Sequence, residues 1–188
     1  LAGVALGSSI LWPTMILFMG VIQAVTPTVS QLNGSRSYSE IGEVIRQGIW
    51  MALVGGAAIF FIINNIGPVY ELMRVDPAAV AIALPYLSMA SYGLPALMVF
   101  FCLRFLSDGM GYTRPALIIS VTALAIKIPM NYVLIYGKFG LPELGGVGCG
   151  VAQAIVMWLQ LFLILIVVSR ERFAPTNWKS HFSLPQWR

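Results

Sequence analysis

Charged residues are scarce in this chain, and histidine and cysteine are scarcer still. Only 10% of its 188 residues are charged, against about 25% in a typical soluble domain, and it has one histidine and two cysteines. The apolar segments hold no histidine and no paired acids, so a nucleophile–base set cannot be assembled. The widely separated cysteines form no metal or redox motif. The scattered basic residues form no nucleic-acid-binding stripe. The sequence therefore predicts no catalytic residues, no metal site and no nucleic-acid partner.

Apolar residues dominate what is present, at 59% of the chain. They form five segments, each long enough to cross a bilayer as a helix of about 20 residues. The approximate bounds are 1–30, 47–70, 79–103, 115–137 and 147–169. Short alternating strands are absent, so the sequence predicts an all-α polytopic membrane bundle. The polar tail, 170–188, is expected to begin a cytoplasmic linker, and the start at Leu1 inside an apolar run suggests a fragment.

Basic residues between the segments predict their orientation. Eight follow the first, third and fifth segments, whereas two follow the second and fourth. Because basic residues collect on the cytoplasmic side of a membrane, the first segment is expected to run inward. The odd number of segments then predicts at least one further helix before Leu1. The eight are Arg36, Arg46, Arg104, Arg114, Arg170, Arg172, Lys179 and Arg188, and the two are Arg74 and Lys138.

A lysine lies near the middle of the fourth segment. Lys127 and Asn131 are four residues apart and share a helix face, and Ser120 falls on the same stripe. A charge at the bilayer centre costs roughly 2.5–3.5 kcal/mol on insertion scales, so such a residue usually faces a bundle interior or a wet cavity. Pro129 removes a backbone N–H between them and predicts a helix bend. This pattern predicts an ion or solute site, since secondary transporters place such sites on interrupted helices near the midplane.

Other polar residues have structural explanations. Arg104 and Asp108 are four residues apart at the expected cytoplasmic end of the third segment and predict an ion pair. Two prolines predict bending within that segment. Ser37 and Glu40 fit a capping box that would open a short surface helix. The glycine-rich stretch 137–150 follows no strand, so it predicts a tight turn and close helix packing rather than a dinucleotide site.

Four stretches resemble the multidrug and toxic compound extrusion (MATE) transporters of the NorM-like branch. The resemblance extends over nearly the whole chain. The stretches are Ser30–Gly34; Arg104–Met110 with Thr113–Ala116; Ile128–Tyr132 with Tyr136–Gly140; and Pro142–Ala152.

This resemblance implies a twelve-helix protein of two six-helix lobes, with the present chain as helices two to six of the first lobe. It implies alternating-access export of cationic, amphipathic drugs across the bacterial inner membrane, in exchange for Na⁺ or H⁺ and without a cofactor. The expected partners are these drugs, the coupling ion, membrane lipid, and the first helix and C-terminal lobe of the same protein. The alternatives are a flippase for a lipid-linked precursor, from the same superfamily, and a scaffold subunit that transports nothing.

The chain departs from the family pattern at the first-lobe polar site. That site uses an acid on the first helix, two asparagines on the fifth and a threonine on the sixth. Asn131 matches the second asparagine, but Lys127 stands where the family usually has asparagine, and Gln153 where NorM-like members usually have threonine. Lys127 is therefore expected either to pair with the acid of the preceding helix, in place of a coupling ion, or to brace two helices.

Overall fold

The computed structural model describes residues 2–72, 76–138, 143–169 and 171–176. Within these ranges the chain is almost entirely helical and contains no strand. The α-helices are α1 (Ala2–Gln23), α2 (Val25–Gly34), α3 (Tyr38–Asn64), α4 (Gly67–Leu72), α5 (Pro77–Ser91), α6 (Leu94–Gly109), α7 (Arg114–Tyr136) and α8 (Gly145–Val168). A short 3₁₀ helix, Glu171–Thr176, follows α8.

The predicted polytopic helical bundle is confirmed. Four segments are long and apolar enough to cross a membrane, namely Leu11–Gly34, Tyr38–Asn64, Arg114–Tyr136 and Gly145–Val168. The α5–α6 pair makes a fifth if its two bent parts are taken together. These ranges overlap the five apolar segments recognised in the sequence, with different bounds.

The beginning of α3 differs from the sequence prediction. The helix begins at Tyr38 rather than near residue 47, because Ile41, Ile45 and Ile49 are buried and form one apolar stripe at helical spacing. The capping box predicted at Ser37 is wrong, since the Ser37 side chain makes no capping hydrogen bond. Residues 38–64 form one long helix instead of a short surface helix followed by a span.

Helix α6 is the most deeply buried element of the bundle. It packs against α2, α3 and α8, and its side chains include the fully buried Met98, Leu103 and Leu106. On α3, Gly56 allows close approach, since a Cβ there would lie 2.6 Å from the Cα of Pro95. The helix therefore lies in the centre of the core, around which the other spans are arranged.

Helix α7 lies at the edge of the bundle. Only 11% of the most apolar stretch of α7 is buried, against 39% for α3, although the two helices are similarly apolar. It packs mainly on α8, and Leu117, Val121 and Leu124 of its outer face are exposed. The polar residues of α7 therefore matter chiefly where this helix meets α8.

The 3₁₀ helix after α8 packs back onto the bundle. Phe173 and Thr176 are buried, and the ring of Phe173 meets the ring of Tyr112 edge-on with centroids 5.8 Å apart. The carbonyl of Thr176 lies directly against Gly42 near the beginning of α3. The remainder of the predicted linker, 177–188, lies outside the described residues, so the linker assignment stays a prediction.

Candidate functional site

A cavity of about 220 Å³ lies where α1, α5, α7 and α8 meet. Three of its lining residues are the ones that the sequence singled out: Lys127, Asn131 and Gln153. Among the described residues, the lining consists of Ser8, Leu11, Trp12 and Met15 of α1, Tyr86 of α5, Lys127 and Asn131 of α7, and Cys149, Gln153 and Met157 of α8.

The α7 residues reach this cavity because of their helical spacing. Lys127 and Asn131 are one turn apart and both are partly buried, whereas Ile128, on another face, is exposed. From α8, Gln153 reaches the cavity next to the fully packed Ala152. An ammonium and two amides, contributed by α7 and α8, therefore line one cavity.

Asn131 has an incomplete set of partners. Its Oδ1 is buried and has no hydrogen-bond partner in the part of the chain that the structure describes. A buried acceptor left unpaired costs about 1–3 kcal/mol. The cavity is therefore suited to a group that donates a hydrogen bond, whether a ligand, a water molecule or another part of the protein.

Three further polar groups line the cavity that the sequence analysis did not select. The hydroxyl oxygens of Ser8 and Tyr86 lie 3.4 Å apart and link α1 to α5. Cys149 is partly buried and lies on the same side of α8 as Gln153, one turn earlier. No sequence signal identifies these residues, because their contribution depends on which helices become neighbours.

Lys127 is the one charged side chain among the described residues that line this cavity, and none of these residues is a carboxylate. Within the described ranges, no group of three or more His, Cys, Asp or Glu side chains is placed to hold a metal ion. These side chains can donate hydrogen bonds and accept a few.

Ser120 occupies a different place from Lys127. It lines a second cavity of about 400 Å³, together with Arg104 and Asp108, and its hydroxyl donates to the carbonyl of Ala116 at 2.9 Å. The two residues share a helical stripe, but seven residues span about 10 Å along a helix axis. They therefore lie at different levels of the bundle, and the structure does not bring Ser120 to the Lys127 cavity.

The other residues selected from the sequence are Arg104, Asp108 and Pro129, and their surroundings indicate a structural role. Arg104 Nε lies 3.7 Å from Asp108 Oδ2, with side chains 38% and 24% exposed, so the two form an ion pair that is too long for a hydrogen bond. Pro129 lies within α7, which continues as one helix from Arg114 to Tyr136. The bending predicted for the third segment from its two prolines is confirmed, since α5 and α6 are bent by 51° relative to each other.

Comparisons with known proteins place this arrangement in a family. The MatE family model matches residues 1–133. The multidrug resistance protein MdtK of Yersinia pestis (strain Pestoides F) is 38% identical over 190 residues, covering the whole chain and 42% of the relative. The probable multidrug resistance protein NorM of Xanthomonas campestris is 38% identical over 189 residues, covering the whole chain and 41% of the relative.

A solved structure agrees on the fold. The eukaryotic MATE transporter AtDTX14 superposes with a TM-score of 0.86 at 19% identity, covering 98% of this chain and 40% of that one. The chain thus spans about 42% of the length of a curated relative such as MdtK. Because the family model matches well over half of the residues, the chain belongs to the MATE family, as its sequence motifs indicated.

Proposed function

We propose that the full-length protein is a secondary active exporter of cationic, amphipathic drugs in the bacterial inner membrane. This chain would supply most of the first lobe, and the two lobes would rock around a central pathway. The observation that supports this proposal best is the meeting of Lys127, Asn131 and Gln153 in one cavity between helices. A charged and hydrogen-bonding site inside a helical bundle is what a transporter needs for ion or proton coupling.

Lys127 argues for coupling by protons in this lobe. A metal cation 4 Å from a lysine ammonium is repelled by about 4 kcal/mol at an effective dielectric constant of 20. That repulsion weakens binding by about a thousandfold. We infer that Lys127 pairs with a carboxylate elsewhere in the full-length protein, on the first helix that the family resemblance implies, and that this pair takes the place of a coupling ion. Proton transfer to that carboxylate would open the pair.

Coupling then follows from a difference in affinity between two states. With the ion pair closed, the cavity is neutral and α7 stays on α8. When the carboxylate takes up a proton, the ammonium loses its partner and favours the arrangement in which water or other groups solvate it. Such a switch can shift the equilibrium only by the difference in free energy between the two arrangements.

Two other functions are tested by the same preparation. A flippase for a lipid-linked precursor would favour a basic cavity, to which Lys127 contributes one charge. A scaffold subunit would need no cavity and would leave Lys127 as a brace between α7 and α8.

The experiment compares the full-length parent with Lys127→Asn in proteoliposomes, with ethidium as the cationic drug. A pH gradient and a Na⁺ gradient are imposed separately. We expect the parent to respond to the pH gradient, and Lys127→Asn to gain dependence on Na⁺. Lys138→Asn is the matched control, because Lys138 is exposed just beyond the end of α7. Unchanged ion dependence in Lys127→Asn would show that Lys127 only braces the helices, and absence of drug flux in the parent would overturn multidrug export.

A further inference from the structure

The break between α5 and α6 leaves backbone carbonyl groups without their helical hydrogen-bond donors. The two helices meet at Tyr92–Gly93 with a bend of 51°. A bend of this size removes helical hydrogen bonds, and Pro95 has no N–H to offer the carbonyl of Ser91. Within a bilayer, freed carbonyls need partners from neighbouring groups, because water is not available there.

Trp158 of α8 supplies one of these partners. Its indole Nε1 donates a hydrogen bond to the carbonyl oxygen of Tyr92 at 3.2 Å. In the part of the chain that the structure describes, this carbonyl receives that indole N–H and no backbone amide. A residue on one span therefore completes the backbone of another at its point of bending.

The break also packs directly on α8. A Cβ added at Gly93 would lie 2.5 Å from the sulfur of Met157 and 2.9 Å from the Cα of Ala154. Met157 also lines the Lys127 cavity, together with Gln153 one turn earlier. The same stretch of α8 thus touches the bend on one side and the cavity on another.

The two arms of the bend are held separately by α3. On the α5 arm, Asn64 Nδ2 donates to Ser91 Oγ at 2.9 Å, and Ser88 Oγ donates to Asn64 Oδ1 at 3.0 Å. On the α6 arm, Pro95 packs against Gly56. With both arms held by α3, the vertex of the bend meets α8 through the packing of Gly93 on Met157 and Ala154 and through the hydrogen bond from Trp158.

We propose that Trp158 is a positioning residue for transport. Its hydrogen bond to Tyr92 holds the α5–α6 break against α8, so that movement of the bend moves Met157 and reshapes the Lys127 cavity. This inference rests on the proposed transport function. It predicts that losing the indole N–H loosens the break and slows turnover while leaving the affinity for drug nearly unchanged.

The test uses the full-length protein with Trp158→Phe, which keeps an aromatic ring and removes the N–H. Hydrogen–deuterium exchange in nanodiscs reads the amides of residues 88–98, and drug flux in proteoliposomes gives Vmax and KM. We expect exchange to become about two- to tenfold faster, the range for loss of one neutral hydrogen bond. Vmax is expected to fall by a similar factor at nearly constant KM.

Trp50→Phe is the matched control, because the Trp50 indole N–H has no hydrogen-bond partner among the described residues. It should leave both readouts at the parent values. Gly93→Ala is a second variant that keeps the indole N–H but crowds Met157 and the backbone of Ala154, so it disturbs the contact between the break and α8 by another route if Trp158→Phe does not assemble. It should likewise lower Vmax at nearly constant KM.

Two outcomes would overturn the inference. One is unchanged exchange at residues 88–98 in Trp158→Phe. The other is faster exchange with Vmax and KM equal to those of Trp50→Phe, which would make the hydrogen bond merely structural. Because exchange is measured without drug, absence of flux in the parent would contradict the transport proposal and leave the exchange result intact.

Discussion

Gly148 of α8 lies directly against the backbone of α7 at Leu134. A Cβ added at Gly148 would come within 2.7 Å of the Leu134 carbonyl oxygen and 2.9 Å of its carbonyl carbon. Backbone atoms cannot rotate away as a side chain can, so only glycine permits this approach. The contact lies close to the cavity and sets the spacing across which Lys127 and Asn131 face Gln153.

Replacing this glycine should force the two helices apart. Gly148→Ala is expected to destabilise the protein by about 1–3 kcal/mol, as overpacking does in a close-packed interior. Thermal unfolding of the purified full-length protein, followed by fluorescence, measures the effect. Gly20→Ala is the control, because a Cβ at Gly20 would meet no atom within 4 Å. An equal change in Tm for both variants would contradict the close-contact explanation.

The separation of Ser120 from the Lys127 cavity gives a second prediction. Asn131→Ala should lower drug flux by about two- to tenfold, the effect of losing one hydrogen bond to a ligand. It should not lower the melting temperature, since the deleted Oδ1 is a buried acceptor without a partner in the described residues. Ser120→Ala should keep flux near the parent value, because the Ser120 hydroxyl bonds to the carbonyl of Ala116 in its own helix. Equal losses of flux in both variants would show that the two cavities act as one site.

Neighbouring asparagines at the end of α3 should differ in their effect on stability. Asn64 bonds to Ser88 and Ser91 of α5, whereas the amide of Asn65 donates to the carbonyl of Phe61 within its own helix, at 2.8 Å. Asn64→Ala removes bonds between two spans and is expected to cost about 1–2 kcal/mol. Asn65→Ala should cost less than half as much. Denaturation in detergent compares the two variants, and a reversed order would rule out Asn64 as the link between α3 and α5.

The two cysteines should differ in reactivity. Cys149 is partly buried and lines the Lys127 cavity, while Cys102 is fully buried in α6. A small, water-soluble methanethiosulfonate reagent should label Cys149 at least tenfold faster, because thiol modification requires access. Mass spectrometry of the parent, Cys149→Ala and Cys102→Ala assigns the label. Slowing by bound ethidium would support a drug pathway through the cavity, and preferential labelling of Cys102 would contradict the packing described here.

Much of the membrane architecture could be predicted from local sequence. Long apolar segments can satisfy their backbone only as helices in lipid, so the spans follow from composition and length. The sequence analysis divided α3 into a short surface helix and a span that begins near residue 47. Glu40 and Glu43 make the beginning of α3 locally polar, so the apolar stripe of Ile41 and Ile45, which continues the helix toward its N-terminus, was not recognised. The bending expected from the two prolines of the third segment is confirmed by the break at Tyr92–Gly93, where α8 can supply a hydrogen bond, whereas the bend expected at Pro129 stays a prediction.

By itself, the sequence determined the class of protein, the family motifs, and the shared face of Lys127 and Asn131, because hydropathy and helical period are local properties. Tertiary structure alone decided that Cys149, Tyr86 and Ser8 join that face, together with Gln153 from the family pattern, while Ser120 does not. Helical spacing specifies the direction in which a side chain points, but not which helix stands opposite it or at what level along the axis. Those are set by close contacts such as Gly148 on Leu134, which form only when the whole bundle packs.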